Sequence, residues 1–317
     1  MRKIVLGRAG IEVAELCFGA LPIGPLQKDI PLEEGSETIV HALESGVNFV
    51  DTAQMYKTYP YIKLAIEKSG ITPVISSKST AVSYEDMQKA VEEALEQLGV
   101  QKLDIFLLHA ARVSHEVLEE RKEALRCLVD YRNKGIIKAV GISTHVVEVV
   151  RRSAAHPDID IVFPIINERG LGVLEGTRED MEQAINACHT AGKGVFLMKV
   201  LGGGNMIADY KSSMEYAIKF SAGRFPIAMG MLDKQEVDMN IKCLRGEDIS
   251  AELADAKMDS KSVIVFKPIC VACQKCIDAC HSSAIAIDGE KAKIDDQKCL
   301  RCGYCVDICP RFAIRMV

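Results

Sequence analysis

The sequence predicts an α/β fold, a (β/α)8 TIM barrel followed by a small α+β domain, on three observations. Short apolar runs alternate with amphipathic helical stretches from Val13 to Leu244, the pattern of βα units on a parallel sheet. Eight such units fit into about 235 residues, close to the ~250 of a typical barrel. Eight of the 12 cysteines then crowd into residues 270 to 309.

The opening KIVLGRAGIEV reads as a hairpin closing the bottom of the barrel. The strand candidates follow as ELCFG, NFVDT, PVISS, DIFLLH, KAVGIS, DIVFPII, GVFLM and PIAMG, each trailed by helix-pattern sequence such as YEDMQKAVEEALEQLG. A doubly wound sheet is the rival architecture, but no strand leads into the glycine-rich turn with which such sheets hold a dinucleotide. Residues 1–245 are thus read as the barrel, 246–262 (GEDISAELADAKMDSKS) as a charged linker without strong apolar period, and 263–317 as the second domain.

A chain of 317 residues with 48% hydrophobic content and net charge -5 buries a large core. The acidic balance, the absence of Trp and the lack of a dense Lys/Arg stripe argue against a nucleic-acid or membrane-surface partner. No apolar run is long enough for a signal segment or a membrane span, so cytoplasmic residence is expected. In a long chain of that kind, many cysteines point to metal binding or catalysis rather than to disulfides. Cys17, Cys127, Cys188 and Cys243, scattered along strand and helix patterns, read as small buried hydrophobes.

The crowded cysteines read C-x2-C-x2-C-x3-C twice, in CVACQKCIDAC and CLRCGYCVDICP, with corresponding cysteines 29 positions apart. Structural zinc takes four tetrahedral ligands from paired knuckles, whereas a third cysteine on the same short turn lets three thiolates grip three irons of a cubane. The runs therefore predict two 4Fe-4S clusters. CHSSAIAID and CPRFAIRMV each leave the last cysteine for an alternating strand, and Asp288-Gly289 supplies a hairpin turn between Ala284–Ile287 and Lys291–Ile294. The segment resembles a bacterial two-cluster ferredoxin, with His281 in place of the proline that usually follows the fourth cysteine. In such ferredoxins that fourth cysteine ligates the other cluster. The resemblance thus implies one cluster on Cys270, Cys273, Cys276 and Cys309, and another on Cys299, Cys302, Cys305 and Cys280, in a ferredoxin-like domain.

In barrels of this architecture chemistry sits where strands end. Strand two ends in VDTAQMY, with Asp51 and Tyr56; strand three in ISSKS, with Lys78; strand four in LLHA, with His109. A phenol, an ammonium, a carboxylate and an imidazole at one mouth make a carbonyl reduction site. The phenol donates a proton to the nascent alkoxide, the ammonium lowers the phenol's pKa, the carboxylate holds the ammonium, and the imidazole orients the carbonyl. Residues 1 to about 245 resemble an aldo-keto reductase, and these four match the family's catalytic tetrad in type and strand position.

That resemblance implies NAD(P)H. Ser143 and Asn167 match two polar groups that hold the nicotinamide amide, while Phe163 replaces a third, usually glutamine. Met198 stands where an aromatic ring often stacks on the nicotinamide. Gly202 and Gly203, in a glycine triplet with Gly204, offer amides to the pyrophosphate. Gly230 and Asn240 match contacts around strand eight, but Leu232 occupies the place of the arginine for the 2′-phosphate. Lys199 and Lys234 read as solvated surface charges. In single-domain members the segment after the last helix returns to the mouth. A 17-residue linker reaches about 56 to 61 Å when extended, enough to bring the cysteine domain there.

The implied function is an iron-sulfur oxidoreductase that reduces a small carbonyl, or oxidises an alcohol, with NAD(P)H and exchanges electrons with a redox-protein partner. A barrel that serves as a docking platform for electron transfer, or a ferredoxin-driven reductase without nicotinamide, are the alternatives. They stay open because a nicotinamide moves two electrons and each cluster one.

Overall fold

The computed structural model describes residues 1–255, 262–299 and 304–316. Strands β1 (Lys3–Leu6) and β2 (Ile11–Ala14) form an antiparallel hairpin with Lys3 opposite Ala14. It seals the barrel floor, where Arg8 donates to the Ala191 carbonyl at 2.6 Å. Gly7 lies so close to the next layer that a Cβ there would stand 2.3 Å from the Gly194 nitrogen, and its φ of +47° suits glycine.

The barrel proper comprises β3 (Leu16–Gly19), β4 (Phe49–Asp51), β5 (Val74–Ser79), β6 (Leu103–Ala110), β7 (Ile137–Thr144), β8 (Ile161–Pro164), β9 (Gly194–Val195), β10 (Leu197–Met198) and β11 (Ile227–Gly230). Every neighbouring pair is parallel. β9 and β10 are two halves of one stave, broken at Phe196: β8 pairs with β9, β10 with β11, and an Ile165–Met198 bridge joins the sides. The nine strands are therefore eight staves, in keeping with the eight candidate runs. Rings fill the interior, with Phe163 stacked on Phe196 at 3.8 Å and Phe49 tilted against it at 5.0 Å. Outside, amphipathic helices carry their own stop and start signals. Ser83 caps Tyr84–Leu98, which ends on left-handed Gly99, and Thr177 with Asp180 forms a capping box on Arg178–Thr190.

In the second domain β12 (Val263–Val265) pairs antiparallel with β15 (Ile314–Met316), and β13 (Ile285–Asp288) with β14 (Lys291–Ile294). Two short helices, Lys275–Asp278 and Tyr304–Asp307, follow the first cysteines of each run. Asp288 pairs with Lys291 rather than turning, so the hairpin turn is Gly289-Glu290, with glycine at φ +64°. The stretch read as a charged linker without strong apolar period holds a helix, Ser250–Asp255, pinned by buried Ile249, by Leu253 against the barrel core and by a Lys242–Glu252 ion pair. Residues 256–261 of that stretch lie outside the described residues.

Candidate active site

The four tetrad candidates arrive at one end of the barrel from consecutive staves. Asp51 ends β4, Tyr56 closes the short turn Gln54–Tyr56 after it, Lys78 lies in β5 and His109 in β6. Lys78 is 1% exposed and its Nζ donates to Asp51 Oδ2 at 2.6 Å and to the Thr52 carbonyl at 2.7 Å. Asp51 also accepts from Ser76 Oγ at 3.1 Å. Burial opposes the Lys78 charge, but Asp51 and then Tyr56 outweigh it and hold its pKa above the ordinary lysine value.

The Lys78 ammonium stands 4.9 Å from the centroid of the Tyr56 ring. Its pull on the phenol is outweighed: burial, aided by Asp51, leaves the Tyr56 pKa raised, contrary to the lowering expected from the sequence. Tyr56 therefore remains a protonated donor at neutral pH. The His109 ring meets Tyr56 edge-on at 5.8 Å and 86°, and its Nδ1 has no hydrogen-bond partner among the described residues. Burial, with Lys78, Lys199, Arg121 and Arg315 around it, keeps the imidazole neutral far below its usual range.

A cavity of about 200 Å³ opens beside Asp51 and Tyr56. Met198, Gly203, Gly230 and Asn240 line it. Three other expected cofactor contacts do not, among the described residues. Asn167 is fully buried, with its amide spent on the following loop: Nδ2 donates to the Leu171 carbonyl at 2.9 Å, and Oδ1 accepts from Leu171 N at 2.8 Å. Ser143 is buried inside β7, and Gly202 is turned into the loop, where a Cβ would meet Leu171 and Met206 at 3.1 Å. Asn240 accepts from Tyr210 OH at 2.8 Å and donates to the Glu236 carbonyl at 2.7 Å. The amide of Asn240 is thus committed within the protein, as that of Asn167 is, which leaves Met198, Gly203 and Gly230 as the expected cofactor contacts that face the cavity without such a commitment. Leu232 and Glu236 line the cavity with Asn240, and the Glu236 carboxylate accepts from the Leu232 amide at 2.8 Å.

Lys199 corrects the sequence reading, because it is no surface charge. It lines the cavity, with Nζ 3.1 Å from His145 Nε2 and 5.1 Å from the Phe312 ring centroid. Phe312 and Arg315 come from the second domain. A Cβ on Gly172 would stand 3.3 Å from the Phe312 ring, and Arg112 Nη1 donates to the Pro310 carbonyl at 3.0 Å. Arg315, 5% exposed, lines the cavity beside Tyr56. Sequence reasoning missed it. Its one signal is a charge inside the apolar run FAIRM, where alternation turns it to the face opposite Ile314.

Cys270, Cys273, Cys276 and Cys309 line a separate cavity. Backbone amides of Ala292 and Ala313 point at the sulfurs of Cys270 and Cys309, at 3.4 and 3.3 Å. Four thiols around one hollow, with amides aimed at sulfur, fit an iron-sulfur cubane. Cys280 Sγ accepts from Ala284 N at 3.2 Å, and Cys280, Cys299 and Cys305 pack in the same small core. Cys302 lies outside the described residues.

The aldo/keto reductase family model matches residues 15–221, and that of the 4Fe-4S dicluster domain residues 262–310. Methylglyoxal reductase DkgA of Escherichia coli is 24% identical over 180 residues, 53% of this chain and 64% of that protein. Glyoxal reductase of Bacillus subtilis is 28% identical over 138 residues, 41% of this chain and 48% of that protein. The chain thus spans less than two thirds of the curated relatives it matches. A holo aldo-keto reductase of Bacillus halodurans superposes with a TM-score of 0.62 at 16% identity, covering 80% of this chain and 94% of its own. A Bombyx mori aldo-keto reductase in complex with NADP does so at 0.60 and 17%, covering 80% and 91%. With a family match over most of the barrel and the shared fold, the chain belongs to the aldo/keto reductase family and carries a 4Fe-4S dicluster domain after its barrel.

Proposed function

We propose that the protein is an iron-sulfur oxidoreductase that interconverts a small carbonyl compound and its alcohol at Tyr56. It uses a reduced nicotinamide dinucleotide, and two 4Fe-4S clusters serve as one-electron carriers toward a redox partner. The observation that carries the reading is the buried Asp51–Lys78 pair set against the Tyr56 phenol at the barrel mouth. The names of the curated relatives, methylglyoxal and glyoxal reductases, support a small carbonyl substrate.

Met198, Gly203 and Gly230 would hold the dinucleotide, which supplies hydride when bound. Glu236 and Leu232 favour one without a 2′-phosphate. Tyr56 gives its proton to the substrate oxygen as negative charge develops there, and Lys78 stabilises the phenolate left behind. Asp51 keeps Lys78 charged and fixed. Neutral His109 donates an N–H to the carbonyl oxygen and orients it. With clusters reconstituted anaerobically and methylglyoxal as probe, Tyr56→Phe should lower turnover by about 10²- to 10⁴-fold while leaving the cluster absorbance intact. Unchanged turnover would remove Tyr56 as proton donor.

The missing carboxamide clasp favours a second reading, in which electrons reach the substrate from the clusters without nicotinamide. Anaerobic titration with NADH and NADPH, followed by cluster absorbance and EPR, separates the two. Saturable NADH binding supports the first, and none supports the second.

A further inference from the structure

Among the described residues, two cations face the substrate cavity with no acid of their own. The Arg315 guanidinium rests 4.1 Å from the centroid of the Phe266 ring, and its Nε has no hydrogen-bond partner among the described residues. Among the described residues, the one group with acidic character acting on it is the Tyr56 phenol. Lys199 is set on a left-handed backbone, φ +59°, and its charged neighbours are Arg315, Arg112 and Lys78, all cations. Of the two carboxylates on the cavity wall among the described residues, Asp51 is committed to Lys78 at 2.6 Å. Glu236 accepts the Leu232 amide at 2.8 Å and is not among the charges acting on Arg315 or Lys199. Arg112 stands apart, since its charge faces Cys309 and one Nη donates to Pro310.

Buried charges of one sign without a counter-charge are costly, and an incoming anion that joins them removes the cost. A guanidinium fork accepts a planar carboxylate on two parallel N–H groups, and an ammonium adds a point charge. We propose that Arg315 and Lys199 bind the carboxylate of an anionic substrate whose carbonyl is adjacent to it, a 2-oxo acid, with the carbonyl presented to Tyr56. The proposal rests on the reading of Tyr56 given above and deepens it. The carboxylate takes no part in bond making. In this arrangement the barrel provides the chemistry and the cluster domain provides half of the specificity.

The test uses full-chain protein with clusters reconstituted anaerobically and no dinucleotide added, so that binding is read without turnover. Calorimetry compares pyruvate with pyruvamide, which keeps the shape and lacks the charge. Pyruvate should bind at least about tenfold more tightly, and Arg315→Gln and Lys199→Gln should each remove most of that preference while leaving pyruvamide unchanged. Lys199→Gln lies on the barrel and keeps the result readable if Arg315→Gln disturbs the cluster domain. Equal affinity for the two probes, or variants that weaken both alike, would overturn the proposal. So would variants that weaken NADH or NADPH binding and spare pyruvate, since the cations would then belong to the cofactor's phosphates. Retained pyruvate preference in a protein that turns over no carbonyl would uphold the anion site and reject the reductase reading alone.

Discussion

Lys78 has one carboxylate partner and almost no exposed surface, so its removal leaves Asp51 buried without a counter-charge. Lys78→Met should cost about 3–5 kcal/mol in urea unfolding, and adding Asp51→Asn should restore most of it. His109 and His145 give a second prediction. Burial, then nearby cations, hold both pKa values well below 6.5 in the folded protein. The unfolded chain therefore binds protons first as pH falls below about 6.5, and stability should drop by up to ~1.4 kcal/mol per pH unit for each histidine. Urea midpoints measured anaerobically from pH 8 to 5 should show that slope, and His145→Asn should reduce it. The meeting of Asp51, Tyr56, Lys78 and His109 at one end of the barrel was legible in the sequence because strand ends of a barrel converge whatever the loops do. Lys199 was misread and Arg315 unseen because what turns them to the cavity is a contact between distant parts of the chain. Asn167 matched by type and position, yet its amide closes its own loop.

At the scale of elements, alternation exposed all eight staves, and the break at Phe196 escaped because two half-strands read as one apolar run. The helix Ser250–Asp255 escaped too, since two apolar positions, Ile249 and Leu253, are too few to show a period. β15 and the turn before it bring the second domain against the barrel. Phe312 fills its own small core and also meets the barrel through His145, at 6.4 Å between rings, and through Lys199. Phe312→Ala should cost about 3–5 kcal/mol within the cluster domain. Hydrogen exchange should rise in residues 262–299 and 304–316 while the barrel strands stay protected, and a global rise would contradict this division.

At the scale of the molecule, the two domains share one wall of the cavity, so a charge bound there acts on both. If pyruvate occupies Arg315 and Lys199, its negative charge would oppose adding an electron to a cluster held in part by Cys309. Protein-film voltammetry should show the reduction potential of one couple move to more negative values on addition of pyruvate, with pyruvamide leaving it in place. By reciprocity, reducing that cluster must weaken pyruvate binding by the same factor. The structural reason is short: Cys309 and Arg315 lie six residues apart on one segment, joined through the Phe312 turn. With the anion bound as proposed, that segment would make the cavity a sensor as well as a binding site, because the oxidation state of the iron would set how long an anion stays.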